Sequence, residues 1–367
     1  LSGTYAMADI RIVQGRLREA ISIYERALRL ATAQGEPVLT GTADLYLGLA
    51  MLHHERGDLA AARQHFQQSE ELGEPAALPD WPYRLCLARA RLKESEGELD
   101  AVLVLLDEAE RLYFRGPVPD VRPIAALKTR VWLRQGRVAE ALTWARERGL
   151  AVDDDLSYLR EFEHLTLARI LIAGYRSDPA EGAVLKAMGL LERLLEAAEA
   201  GKRLGSVIEI LLLQALAHEA QDNIPLALQP LERALALAEP EGYVRIFVDE
   251  GRPVARLLVA AAERGLRPAY TGRLLAAVET GDHHPESPTA QAQRPTAAAA
   301  QPLVEPLTPR EVEVLRLVAE GLSNQEIAER LFLALDTVKG HNRRIFGKLQ
   351  VQRRTEAVAR ARELDLL

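Results

Sequence analysis

GRLREAISIYERALRLA, Gly15 to Ala31, is the stretch from which the fold can be read. Its apolar residues Leu17, Ala20, Ile21, Tyr24, Ala27, Leu28 and Ala31 recur at three- and four-residue spacings, the period of a helix with one buried face. The pattern returns as GDLAAARQHFQQSEELG from Gly57, GELDAVLVLLDEAERLY from Gly97 and GRVAEALTWARERGL from Gly136, and Asp178 and Asp222 open two further copies. The six openings are 42, 40, 39, 42 and 44 residues apart. Five residues after each stands Ala20, Ala62, Val102, Ala141, Ala183 or Ala227, small or β-branched, where a second helix is expected to approach closely.

Between these copies lie other helical stretches, among them 44–56, 83–96 and 121–135, so each unit reads as a helical hairpin of about 40 residues. A single hairpin cannot bury its apolar stripe, and stacked neighbours can. The expectation is six hairpins from Leu1 to about Tyr243, forming a right-handed tetratricopeptide-like α-solenoid with a concave inner surface. EGYVRIFVDEGRPVARLLVAAAERG, Glu241 to Gly265, and then Pro268 to Glu279 are expected to add helices that cover the last repeat.

Composition agrees with an all-α fold. The chain has 367 residues, 48% hydrophobic, 27% charged and 5% aromatic, and is rich in the strong helix formers Ala, Leu, Arg and Glu. One cysteine, Cys86, cannot make an internal disulfide or a Cys-based zinc site and fits a reducing, cytoplasmic setting. The apolar runs 101–106 and 208–217 are too short or carry polar residues, so no membrane span is expected. No basic-then-apolar leader opens the chain, and its start at Leu1 reads as a fragment or a processed end.

Residues 281–306, with five prolines and six alanines and no apolar periodicity, read as a linker. The domain boundaries follow: a repeat domain over 1–280, the linker over 281–306 and a small domain over 307–367. The net charge of −7 conceals an asymmetry, because residues 307–367 carry 11 Lys and Arg against 9 Asp and Glu. In that small domain Thr308, Pro309 and Glu311 form a helix-opening capping box, Gly321 ends the helix, Ser323 with Glu326 caps a second, and Asp336 caps a third. Ile327, Ala328 and Leu331 supply the inner face of the second helix. A short helix, a tight connection and a second helix make a helix-turn-helix.

On the third helix Val338, Ile345 and Leu349 fall within about 40° of one another, with Gly340, Arg343 and Gly347 opposite. From Thr337 to Thr355 there are six basic residues, Lys339, Arg343, Arg344, Lys348, Arg353 and Arg354, and no acidic one. A major groove asks for such a helix, with cations for phosphates and an outer face that reaches base edges.

Residues 307–367 resemble the DNA-binding domain of LuxR-type transcriptional regulators, at LTPRE, VLRLVAEGLSNQEIAERL, TVK, His341, Ile345, KL, Arg354 and the final Ala-to-Leu segment. The repeat region, with EGYVRIFVDEG near its end, is similar to the helical sensor domain of the large MalT-like, ATP-dependent members of that family. Those members carry a nucleotide-binding module, and no G-x-x-x-x-G-K-[ST] occurs in this chain, so no cofactor is expected in it. The resemblance implies that Lys339, Gly340 and Arg343 face bases, and that Asn324, Thr337, Arg344, Lys348 and Arg354 lie near phosphates. It also implies that the last helix, about 354–364, pairs two copies on promoter DNA through Val358 and Ala361. Asn342, Gln350 and Ala334 depart from the family pattern, which bears on local geometry and base preference.

Other residues carry weaker signals. His53 with His54 diverge on a helix, His283 with His284 lie in the linker, and both pairs read as surface or packing residues rather than metal ligands. Trp81, Tyr83, Trp132, Trp144 and Tyr158 read as packing between repeats before they read as an inducer pocket. Asp153, Asp154 and Asp155 read as a solvated loop. No nucleophile or acid-base constellation points to an enzyme. The function expected is a DNA-binding transcriptional regulator, an activator by resemblance, with double-stranded promoter DNA and RNA polymerase as partners and an inducer or protein sensed by the repeats. The competing expectation is a protein-interaction scaffold with a degenerate, non-specific DNA-binding domain.

Overall fold

The computed structural model describes residues 2–33, 38–113, 120–179 and 181–281, together with Val314, Leu315, Leu317, Ala319, Leu322, Gln325, Ile327, Arg330, Leu331, Val338 and Ile345. Two compact units divide the chain, Leu1–Ser287 and Pro288–Leu367. The predicted linker, apart from Gly281 at the end of a helix, lies outside the described residues. The described residues contain helices and no strand.

The first unit is built from six helical hairpins: α1 (Ser2–Val13) with α2 (Leu17–Thr32), α3 (Thr42–Glu55) with α4 (Leu59–Leu72), α5 (Trp81–Ser95) with α6 (Leu99–Leu112), α7 (Ile124–Arg134) with α8 (Val138–Glu147), α9 (Glu161–Ser177) with α10 (Glu181–Ala200), and α11 (Leu204–Ala220) with α12 (Ile224–Ala238). Three more helices follow, α13 (Arg245–Val248), α14 (Arg252–Glu263) and α15 (Pro268–Gly281).

One turn joins most of the hairpins. At Gly57 the backbone N–H donates to the His54 carbonyl at 2.9 Å, and the Asp58 N–H donates to the His53 carbonyl at 2.9 Å. This paired closure satisfies the last carbonyls of the first helix and requires a left-handed residue between the two helices. Gly15, Gly97 and Gly136 repeat it at φ near 75°, and Asp222 does so at φ 57°. The next helix begins two residues later, so five of the six small residues land fully in the helix crossing: Ala20, Ala62, Ala141 and Ala227 are 0% exposed and Val102 is 2%.

The fifth hairpin differs. Asp178 takes an extended conformation at φ −145°, and α10 starts three residues after it rather than two. The register therefore moves on by one, so Ala183 is only half-buried and Val184 occupies the crossing at 1% exposure.

The first helices α3, α9 and α11 are the most deeply buried of the unit. The α11 run Ile208 to Ala217 is buried nearly all round, which is why it has no polar stripe. Exposed apolar residues such as Leu30, Val104, Leu185 and Leu226 stand on second helices.

The six hairpins return on themselves. α1 packs against α11, and α3 against α13. The Val244 N–H donates to the Glu55 carbonyl at 2.9 Å, the Ile246 N–H to the Glu55 carboxylate at 3.1 Å, and the Arg18 N–H to the Glu241 carboxylate at 3.0 Å. Phe247, fully buried, meets Tyr270 of α15 edge-on at 6.3 Å, and the Tyr270 hydroxyl donates to the Tyr243 carbonyl at 2.6 Å. The inner surface is thus enclosed by a seam between the early and late hairpins, which the solenoid expectation did not contain.

Two turn glycines serve both the turn and the seam. A Cβ on Gly57 would stand 2.9 Å from Val244 Cγ1, and one on Gly15 would stand 2.7 Å from Leu204 Cβ, whereas at Gly136 it would meet nothing within 4 Å. Chemical denaturation is therefore expected to show a loss of about 1–2 kcal/mol for Gly136→Ala, the cost of the left-handed backbone alone, and about 2–4 kcal/mol for Gly57→Ala, where crowding of the seam adds to it.

Candidate functional site

In the C-terminal unit the described residues are chiefly those that form its interior. Val314, Leu315, Leu317, Ile327, Val338 and Ile345 are all buried, five of them at 0% exposure. Val338 and Ile345 are seven residues apart, two helical turns, and so share one face. The Leu331 N–H donates to the Ile327 carbonyl at 3.0 Å, a helical bond, while Gln325 and Arg330 are exposed. The Leu322 N–H donates to the Leu317 carbonyl at 3.2 Å, the six-to-one bond with which a helix closes. These burials match the inner faces that the sequence assigns to Ile327, Val338 and Ile345. The base-facing Lys339, Gly340 and Arg343, the phosphate-facing Asn324, Thr337, Arg344, Lys348 and Arg354, and the dimer residues Val358 and Ala361 lie outside the described residues, as does Leu349.

The second candidate lies inside the helical-repeat unit. Arg130 on α7 donates to Glu209 on α11 at 2.8 Å and to the Thr166 hydroxyl on α9 at 3.0 Å. Arg169 on α9 reaches the same Glu209 at 2.9 Å and also pairs with Glu250. These four side chains are 13–19% exposed, largely withdrawn from solvent but still reached by it. Burial alone would raise Glu209, yet the Arg130 and Arg169 guanidinium groups hold its carboxyl down to about 2. Arg130 is pulled down to about 10 by burial, against the attraction of Glu209.

Next to this network the Phe162 ring has the Arg130 guanidinium 3.7 Å from its centre and that of Arg122 at 5.6 Å. Further along, Arg91 of α5 lies in electrostatic range of Arg122 and of Glu55, and burial lowers its pKa. Glu55, at the seam, is pushed up to about 7 by burial and by Asp249, opposed by Arg91, the Ile246 N–H and Arg245. Burial likewise pushes Asp249 up to about 6 against its partner Arg245. Burial and the Arg245 charge force His54 down to about 3, so it is neutral here.

The sequence reading did not single out these charges. A signal was available: Arg91, Arg130 and Arg169 recur at 39-residue intervals, and Glu209 follows 40 residues on, each on a first helix. The aromatic residues behave mostly as packing. Trp81 and Trp144 are buried in the core, Tyr83 and Trp132 are half-buried, and Tyr158 is exposed with Arg203 over its ring at 5.5 Å. Asp154 accepts from the Ala151 N–H and pairs with His164 and Arg160, which gives its carboxylate an intraprotein role in the loop. Among the described residues no helix is long and apolar enough to cross a membrane.

This architecture, stacked helical hairpins followed by a small unit with helix-turn-helix spacing, is that of a helical-repeat domain joined to a nucleic-acid-binding module. Residues 2–264 match the family described as MalT-like TPR region, and residues 305–361 match bacterial regulatory proteins of the luxR family. The chain therefore belongs to the MalT-like helical-repeat family and carries a luxR-type DNA-binding module. It is 27% identical over 282 residues to the HTH-type transcriptional regulator MalT of Cronobacter sakazakii, covering 74% of this chain and 30% of that protein. The MalT of Klebsiella pneumoniae is also 27% identical, over 292 residues, 76% of this chain and 31% of that protein. The chain thus spans about a third of the length of these relatives.

Glu55 gives the seam a pH dependence of definite sign. The folded protein holds the Glu55 proton more tightly than the unfolded chain, so this group's contribution to stability is full below about 4.5 and is lost as pH rises through about 7. Glu55→Gln keeps an acceptor for the Ile246 N–H and removes the titration. The variant is expected to exceed the parent by about 3 kcal/mol at pH 8 and to converge with it near pH 4.5, measured as the difference in denaturation free energy across that range. His54 stays neutral in the folded state of both proteins over this range, and its contribution cancels in the difference.

Proposed function

We propose that the chain is a sequence-specific transcriptional regulator, an activator, whose luxR-type module reads promoter DNA while the helical-repeat unit senses an inducer or a protein partner. The match of residues 305–361 to the luxR family carries this reading. The burial of Val338 and Ile345 supports it, because the helical period of the sequence assigns Gly340, Arg343 and Gly347 to the face opposite those two residues, the face a groove would meet. Lys339, Gly340 and Arg343 then meet base edges, and Asn324, Thr337, Arg344, Lys348 and Arg354 meet phosphates. Two modules paired through Val358 and Ala361 sit about one helical turn apart on a two-fold site, and RNA polymerase is the partner recruited there. The repeat unit's enclosed, charged interior supports the sensing role, since it offers a ligand polar groups that neighbouring repeats do not consume.

The test is selection of bound sequences from a random duplex pool by the full chain at near-physiological salt. An enriched two-fold motif is expected. Arg343→Ala should weaken that motif by about 1–3 kcal/mol and relax one base position, while Lys348→Ala should weaken specific and non-specific duplexes alike and reduce the salt slope by about one. Binding without enrichment, lost uniformly with salt, would replace this reading with that of a scaffold bearing a non-specific module.

A further inference from the structure

Most of the interior charges are matched. Glu209 serves Arg130 and Arg169, Glu250 serves Arg169, Asp249 serves Arg245, and Glu94 serves Arg134. The Glu55 carboxylate accepts from the Ile246 N–H. Three guanidinium groups gathered near Phe162 and Arg91 nonetheless keep donors with no acceptor among the described residues. Arg130 has its Nη2 buried with no hydrogen-bond partner. Arg91, half-buried on α5, makes no ion pair or hydrogen bond, and the cation Arg122 acts on it more strongly than the more remote carboxylates of Glu55, Glu94 and Asp249. The Arg122 side chain pairs with no carboxylate either; its guanidinium lies over the Phe162 ring, which Arg130 also covers.

A guanidinium group does not deprotonate to relieve crowding by like charges, and here half-buried Arg91 and Arg130 lie close to Arg122, which is exposed at the edge of the group. The remedy open to arginine is an anion with several acceptor oxygens, which its planar fork meets two at a time. A monocarboxylate would leave most of these donors unmet, whereas a phosphate group brings up to two charges and at least three free oxygens.

We infer that the helical-repeat unit binds a small anion of the phosphate class, free or as the phosphate group of a metabolite, through half-buried Arg91 and Arg130 with Arg122 at the exposed edge of the site. This names the ligand class for the sensing role proposed above, on which its link to DNA binding rests. Phe162 holds the Arg122 and Arg130 guanidinium groups against its ring, and Thr166 fixes the Nε side of Arg130, which leaves Nη2 for the anion.

The test is calorimetric titration of the full chain with inorganic phosphate, glycerol 3-phosphate and acetate at an ionic strength held constant with chloride. Saturable binding of a phosphate ligand is expected, with acetate at least tenfold weaker. Arg122→Gln is the first variant, because Arg122 is exposed and makes no ion pair. It should bind phosphate at least tenfold more weakly, melt no lower than the parent without phosphate, and lose the phosphate-dependent rise in melting temperature. Arg29→Gln, on the outside of α2, should bind as the parent does. The tighter of the two phosphate ligands identifies the source as free or esterified. No saturable binding, or equal binding by Arg122→Gln, overturns the site. Selected duplex DNA is then titrated with and without saturating ligand: an unchanged DNA affinity rejects the sensing role while leaving the site in place.

Discussion

The structure depends on one backbone requirement, a single left-handed residue between the two helices of a hairpin. Gly15, Gly57, Gly97, Gly136 and Asp222 meet it, and each converts the exposed end of one helix into the start of the next in two residues. A connection that short leaves little angular choice, so each hairpin resembles the previous one and the stack advances by nearly constant steps. The small residues at Ala20, Ala62, Ala141 and Ala227 are consequences of the same constraint, because a short turn forces its helices to cross close together. Asp178 shows the converse: with an extended residue there, α10 begins later and a different side chain, Val184, takes the crossing.

Constant steps accumulate, and here they bring the early hairpins against the late ones. Glu55 is the residue on which this closure turns, since its carbonyl and its carboxylate both accept from the segment around α13. Closure has an electrostatic cost. The groups that face inward from α3, α5, α7, α9 and α11 are drawn away from bulk water, and the Glu55 and Asp249 carboxyls rise as a result, while Glu209, held by two arginines, falls. The same confinement has opposite effects on neighbouring acids because only one of them has its cations close enough to outweigh desolvation.

Much of this fold was legible in the sequence, and the illegible parts have a common cause. Hairpin number, turn positions and most crossing residues are local properties, written in the 3.6-residue period and the spacing of Gly15, Gly57, Gly97 and Gly136. The inner faces at Ile327, Val338 and Ile345 are local in the same sense. Contacts between residues far apart in the chain are not. Nothing near Glu55 indicates that Ile246, 191 residues away, will donate to it. Arg91, Arg130 and Arg169 looked like ordinary charges on helices rich in charge, and their 39-residue recurrence gains meaning only when the first helices are known to face one another. Trp81 and Trp144, which stand out by residue type, turned out to be core packing, whereas Phe162, which does not stand out, gathers two arginines.

Arg169 shows what the interior network contributes beyond energy. It must meet Glu209 on α11 and Glu250 beyond α13 at once, so it ties three successive elements to one angular arrangement. Leucines in these positions would pack as well or better, since buried ion pairs seldom add net stability over apolar residues of similar size. They would also accept several neighbouring arrangements, because dispersion contacts are not directional. A guanidinium fork shared between two carboxylates accepts few. The hairpins therefore set the step, and the charges at the centre select the arrangement in which six such steps close, while keeping the space at that centre polar.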